Sequence, residues 1–241
     1  MSLLSSPRDY HAVVLGASGA VGGALTRELL ASPQCSGVTA CVRRPSDELN
    51  LLPGATAKLT VRVVSMDVLE NDVASALAAV PHHSAAFCTL GVGQPRKVSL
   101  AEHWRVDVEY ASSFARACRN AGVNQFSLLT SVGADPGSST RYLRVKGAIE
   151  DAVRLLSFPR ASFFRPSLLV TKELRYGLQD RLTQALFPRI SWMLPSRFHE
   201  IAVDELGRAM RLNAERAVAA RIEIMQYAEC MRLLGDARAE E

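Results

Sequence analysis

The chain has 241 residues, of which 48% are hydrophobic and 22% charged, and a formal charge of +4. That composition supports a full apolar core and excludes a disordered chain. The mild positive balance favours anionic ligands such as a phosphorylated cofactor, and it falls well short of the dense basic stripes of a nucleic-acid binder.

In chain order, the apolar run at 11–15 predicts a strand and the stretch behind it a helix over 20–31. Between them "GASGAVGG" sets Gly16, Gly19 and Gly22 at a three-residue spacing. Glycine gives up the most backbone freedom on folding, so a regular set of them between strand and helix implies a backbone that passes close to something. In this context Gly16 permits a tight turn, Gly19 lets the backbone approach a pyrophosphate, and Gly22 lets the helix pack on the sheet. The helix start offers free N–H groups and a partial positive charge to phosphate, and Ser18 adds a hydroxyl donor.

A second strand near 38–42 runs into Arg43 and Arg44, with no acidic residue before Asp47. Arginine at this point accommodates the 2′-phosphate of NADP, where an acidic residue would bond the ribose of NAD. After a third strand near 60–65, Asp67 and Val68 stand where a side chain and a backbone amide meet an adenine. An acidic N-cap for the next helix, 69–79, explains Asp67 as well. His82 and His83 precede a fourth strand near 84–89 and read as solvated loop residues, since no further metal ligands lie at suitable spacing. Cys88 reads as a small buried residue. His103 and Trp104 open a long helix, 100–121, and read as packing or capping residues.

A fifth strand near 125–130 leads to "TSVGADPGSSTRYLRVKGAIEDAV" and a helix over 140–156. Tyr142 and Lys146, four apart, share one helix face. A free phenol has a pKa near 10, and a neighbouring ammonium favours its ionised form. Such a phenol supplies a proton to a carbonyl that receives hydride. Ser131, at the mouth of the strand, is placed to hydrogen-bond the substrate oxygen, and Thr130 points the other way if the strand continues. A sixth strand near 161–165 is followed by an aromatic- and proline-rich stretch, about 170–199, that breaks the β-α rhythm. It reads either as an insertion over the ligand edge or as a plain surface subdomain, with His199 and Glu200 in a surface turn. A helix over 203–213 and a late strand, 220–225, complete the pattern.

Alternating strands and helices of this kind build a parallel sheet with ligands at the carboxyl edge. The expected fold is α/β, a Rossmann doubly wound parallel sheet with a small C-terminal helical cap, in one domain over 1–241 with a substrate-side insertion around 170–200. The five cysteines, at 35, 41, 88, 118 and 230, form no C-x-x-C pair and suggest a reducing compartment. The N-terminus lacks a charged start followed by a long apolar core, and no stretch reaches the roughly 18 apolar residues of a membrane span. A cytoplasmic protein without an integral membrane segment is expected.

"GASGAVG", "CTLGVG", "FSLLTSVGAD", "YLRVK" and "FFRPSLL", in this order, resemble the atypical short-chain dehydrogenase/reductases, nearest to their Tat-interactive group, over about residues 10–215. The resemblance implies a cofactor site for NADPH made of Gly16, Ser18, Gly19, Ala20, Val21 and Gly22 at the pyrophosphate and Arg43 and Arg44 at the 2′-phosphate. It places Cys88, Thr89, Leu90 and Gly91 beneath the cofactor and Pro166 beside the nicotinamide. It makes Ser131, Tyr142 and Lys146 the catalytic triad, with Tyr142 and Lys146 also touching cofactor. One departure stands out. Commoner members carry an asparagine on the helix after the fourth strand to relay protons, and here Asp107 takes that place.

The leading expectation is an NADPH-dependent oxidoreductase acting on a small-molecule carbonyl substrate. The rival is an NADPH-binding regulatory or scaffold protein that works through a protein partner. A nucleotide-sugar epimerase is disfavoured, because the roughly 70 residues left after the sixth strand are few for a substrate domain. Whether the helices at 100–121 and 140–156 pair in a homodimer stays open.

Overall fold

Runs such as Ala12-Val-Val-Leu15 and Ala85-Ala-Phe-Cys88 are too apolar to face water on either side, and strands of that kind fill the centre of a parallel sheet. The computed structural model describes residues 9–78, 84–171, 195–217 and 219–240, and in it these runs lie at the middle of a seven-stranded sheet. The strands are β1 (Tyr10–Leu15), β2 (Cys35–Val42), β3 (Leu59–Val63), β4 (Ser84–Cys88), β5 (Gln125–Leu129), β6 (Arg160–Phe164) and β9 (Ile222–Met225). Their order is β3-β2-β1-β4-β5-β6-β9, and every neighbouring pair is parallel. β1 and β4 are buried almost throughout, whereas β3, at the edge, is half open.

Helices cover both faces. On one side α1 (Ala20–Ala31), α8 (Val203–Glu215) and α9 (Tyr227–Glu240) seal a core that includes Leu25, Leu29, Leu206, Met210 and Leu234. On the other, α4 (Leu69–Leu77), α6 (Ala111–Asn120) and α7 (Arg141–Leu155) close over Val73, Phe114, Phe126 and Ile149. Phe126 stacks on Phe158 with ring centroids 4.8 Å apart. Each fully buried phenylalanine contributes about 1.5–3 kcal/mol by leaving water. Gly207 lets α8 cross α1 at backbone distance, since a Cβ there would stand 2.8 Å from the Leu25 nitrogen.

The order of strands reverses between β1 and β4, and their register pairs Leu15 with Cys88. The residues that leave these two strands therefore emerge side by side, at the crevice where open α/β sheets take ligands. Two short helices, α2 (Asp47–Asn50) and α3 (Ala55–Lys58), fill the β2–β3 connection. A two-stranded parallel pair, β7 (Leu169–Val170) with β8 (Ile201–Ala202), sits beside the crevice.

The long helix expected over 100–121 is not continuous. It comprises α5 (Leu100–Trp104), a six-residue π-helical turn (Arg105–Tyr110) and α6. The widened turn carries Asp107 and Val108 into the interior, and such turns recur at functional sites. α9 has no counterpart among the sequence-derived elements. His82, His83 and most of the 170–199 stretch lie outside the described residues.

Candidate active site

Gly16 follows β1 with φ +90°, in the left-handed region that favours glycine. A Cβ there would stand 2.8 Å from both the Leu90 nitrogen and the Thr89 hydroxyl, so the turn lies flat against the loop leaving β4. Thr89 holds that contact by donating its N–H and its hydroxyl to the Leu15 carbonyl, at 2.9 and 3.1 Å. At Gly22 a Cβ would fall 2.1 Å from the Gly16 carbonyl oxygen. Glycine is obligatory at both positions by contact, whatever binds. Gly19 is the N-cap of α1 and no side chain caps it, which leaves the first-turn amides free for an anion. The bare cradle and the uncapped helix fit a dinucleotide pyrophosphate.

Two cavities meet at this loop. One, of about 680 Å³, is lined by Gly16, Ser18, Gly19, Arg43, Arg44, Met66, Thr89, Leu90 and Gly91. Arg43 and Arg44 are exposed and have no carboxylate partner among the described residues, although Asp47 and Glu48 share the same wall. Asp67 and Val68 are exposed and do not line the cavity; from their turn it is Met66 that does.

The second cavity, of about 380 Å³, is lined by Gly19, Ala20, Val21, Thr89, Leu90 and Gly91 on one side and by Ser131, Tyr142, Lys146 and Pro166 on the other. Residues distant in sequence thus converge on one cleft. Gly147 allows this: a Cβ there would stand 2.1 Å from the Pro136 nitrogen, so α7 runs directly against the loop that carries Ser131. Val132 donates its N–H to the Pro166 carbonyl at 3.0 Å, joining the exits of β5 and β6.

Thr130 and Ser131 differ in what occupies them. The Thr130 hydroxyl donates to buried Glu150 at 2.8 Å. The Ser131 hydroxyl reaches only the Val132 carbonyl at 3.4 Å, a weak bond that leaves it free to engage a ligand. Glu150 also accepts from the Arg165 Nε at 2.8 Å, and so ties β5, β6 and α7 together behind the cleft. Sequence reading passed over Glu150, although it lies four residues beyond Lys146 and eight beyond Tyr142, on their helix face.

Lys146 is buried, and its Nζ donates to Asp107 Oδ1 at 2.6 Å. The other Asp107 oxygen accepts the Val92 N–H at 2.9 Å, so one carboxylate holds both the ammonium and the loop after β4. Burial, the largest influence, pulls the Lys146 amine down. The Asp107 and Tyr142 charges and the Asp107 hydrogen bond outweigh it and hold the amine above its ordinary value. The Lys146 Nζ lies 5.8 Å from the centre of the Tyr142 ring. His103 stacks against that ring at 6.0 Å with planes 14° apart. His103 is fully buried and neither ring nitrogen has a hydrogen-bond partner. Burial lowers its pKa, Lys146 and Arg141 lower it further, and the Asp107 charge opposes them. Cys88 is buried beneath the loop, and desolvation pushes its thiol up to about 12, so it is inert. Among the described residues no cluster of histidine, cysteine, aspartate or glutamate could hold a metal ion, and no helix is long and apolar enough to cross a membrane.

Comparison with known proteins agrees with this geometry. The sequence profile of the NAD(P)H-binding family matches residues 16–167. Protein HTATIP2 of Rattus norvegicus is 31% identical over 222 residues, which are 91% of this chain and 87% of that protein. Protein fmp52, mitochondrial, of Emericella nidulans is 31% identical over 160 residues, covering 66% of each. Among solved structures, a 3-oxoacyl-[acyl-carrier protein] reductase from Brucella melitensis in complex with NAD superposes with a TM-score of 0.71 at 14% identity, over 94% of this chain and 99% of that one. A Citrobacter triphenylmethane reductase complexed with NADP(H) gives 0.62 at 18% identity, over 89% and 68%. At such identities the structural likenesses establish the Rossmann fold, and the profile and the rat relative establish kinship. The chain belongs to the NAD(P)H-binding family, among the atypical short-chain dehydrogenase/reductases that include the HTATIP2 and Fmp52 proteins.

Proposed function

We propose that this protein is an NADPH-dependent oxidoreductase that reduces a carbonyl compound. The observation that carries the proposal is the 380 Å³ cleft, where the glycine-loop residues Gly19, Ala20 and Val21 face Ser131, Tyr142 and Lys146. The reduced nicotinamide supplies the hydride that goes to the carbonyl carbon. Tyr142 gives its hydroxyl proton to the carbonyl oxygen, Ser131 donates a hydrogen bond to that same oxygen, and Lys146 holds the ribose. Water then restores the Tyr142 proton, and the product is an alcohol.

The two unpaired arginines after β2 support NADPH over NADH. Micromolar binding of NADPH, tighter than that of NADH, is expected by calorimetry, and Arg43→Ala with Arg44→Ala removes most of the preference. Equal affinity of the unmutated protein for the two cofactors would falsify the 2′-phosphate assignment. Tyr142→Phe abolishes turnover and leaves NADPH affinity in place.

A second reading, an NADPH-binding regulatory protein with little catalysis, draws support from the Asp107 contact, which offsets the Lys146 charge that would otherwise acidify Tyr142. Under it Tyr142→Phe leaves partner binding untouched. The Fmp52 relatives carry a mitochondrial designation. All five cysteines of this chain are free and buried, which supports a reducing compartment such as the cytoplasm.

A further inference from the structure

A third cavity, of about 720 Å³, opens on the far side of Tyr142 and shares Val92, Gly93 and Tyr142 with the cofactor cleft. Three cations line it, Arg96, Lys97 and Arg141, and no carboxylate does. None of the three has an ion-pair partner among the described residues; Arg96 and Lys97 are exposed, and Arg141 is half-buried, as are the paired Arg160, Arg165 and Arg211. Arg141 is fixed without a counter-charge. It donates through Nη2 to the Val98 and Ser99 carbonyls at 3.0 and 2.6 Å, which keeps its full charge, and its buried Nε has no partner.

The position of Arg141 adds a second, independent argument. It opens the first turn of the 15-residue helix α7, which holds no acidic residue there and whose Thr140 N-cap makes no side-chain bond. A cation at the positive end of a helix is unfavourable in isolation. The same arrangement becomes favourable when an anion faces both the guanidinium and the free helix amides. Resting on the reductase reading above, we propose that this cavity receives an anionic group, a carboxylate or a phosphate, borne by the carbonyl substrate. Val92 and Pro95 supply apolar contact between that group and the reacting end at Tyr142.

The test uses three aromatic aldehydes of matched shape, para-formylbenzoate, para-formylphenyl phosphate and neutral para-formylbenzamide, titrated calorimetrically into the full chain with and without NADPH. Both anions, or one of them, bind about tenfold or more tightly than the amide. The better of the two identifies the substrate as a carboxylate or a phosphate. Arg141→Gln removes that preference, as does the double variant Arg96→Gln with Lys97→Gln, which lies on an exposed loop and keeps the proposal testable should the α7 variant misfold.

Equal binding of amide and anions, failure of every probe to bind at millimolar concentration, or an anion preference that survives both variants overturns the inference and leaves these cations as solvated loop charges. Following NADPH absorbance separates this from the reductase reading. Anion-selective binding without NADPH oxidation sinks the reductase and keeps the anion site, whereas equal NADPH oxidation with amide and anion keeps the reductase and sinks the site.

Discussion

The Lys146 ammonium and the Asp107 carboxylate meet at 2.6 Å, almost sealed from water, so the lysine expected to acidify Tyr142 carries its own counter-charge. Asp107→Asn keeps the shape and removes that charge. The unmasked ammonium then favours the Tyr142 phenolate, and the pH profile of alcohol oxidation moves to lower pH by about one unit. The pH dependence of kcat/KM measures this, and an unmoved profile means that the Asp107 field does not reach Tyr142.

Removing the carboxylate outright has a different effect. Asp107→Ala leaves Lys146 buried and unpaired and frees the Val92 N–H. Loss of about 3–5 kcal/mol is expected in urea unfolding. Lys146→Met with Asp107→Leu, which removes both charges, recovers much of that stability while activity stays lost.

Adjacent glycines in α1 should behave in opposite ways. Gly22→Ala drives a methyl group against the Gly16 carbonyl, so α1 must shift and affinity for the nicotinamide dinucleotide falls by about tenfold or more. Gly23→Ala meets nothing nearer than the Ala17 carbonyl at 3.5 Å. It gains roughly 0.5–1 kcal/mol from the reduced freedom of the unfolded chain. Thermal melts and cofactor titrations of the two variants check the contrast.

Acid sensitivity is expected from His103. Its folded pKa lies below its ordinary value, chiefly through burial, so the unfolded chain takes up the proton first. Its contribution is complete above about pH 6.5 and declines as pH falls below that, with a slope of up to about 1.4 kcal/mol per pH unit. His11, also lowered by burial, adds a contribution of the same sign. Unfolding titrations between neutral and mildly acid pH should show a shallower slope for His103→Leu, with the remainder removed by His11→Leu.

The fold was legible because its signals are local. Apolar runs bounded by turns placed the strands, and the glycine spacing marked the first crossover. The pairing of Tyr142 with Lys146 needed only helical periodicity. What the sequence did not disclose arises from long-range contact. The π-helical turn that swings Asp107 onto Lys146 has no periodic signature, and the partner residues lie 39 positions apart. Glu150 was visible as a charge on an apolar helix face, but its bonds to Thr130 and Arg165 depend on how α7 meets two strand ends. Asp67 illustrates the converse: its place after β3 suggests an adenine contact, yet its turn presents Met66 to the cavity.

The contact between Gly22 and the Gly16 carbonyl also bears on how quickly this protein takes up its nucleotide. Two backbones locked together at such range cannot rearrange independently, so the fan of amides at the head of α1 is already shaped before any phosphate arrives. Little ordering entropy is then spent on capture. Cofactor uptake should run at a rate set by encounter in solution, leaving any slower gating to other parts of the molecule.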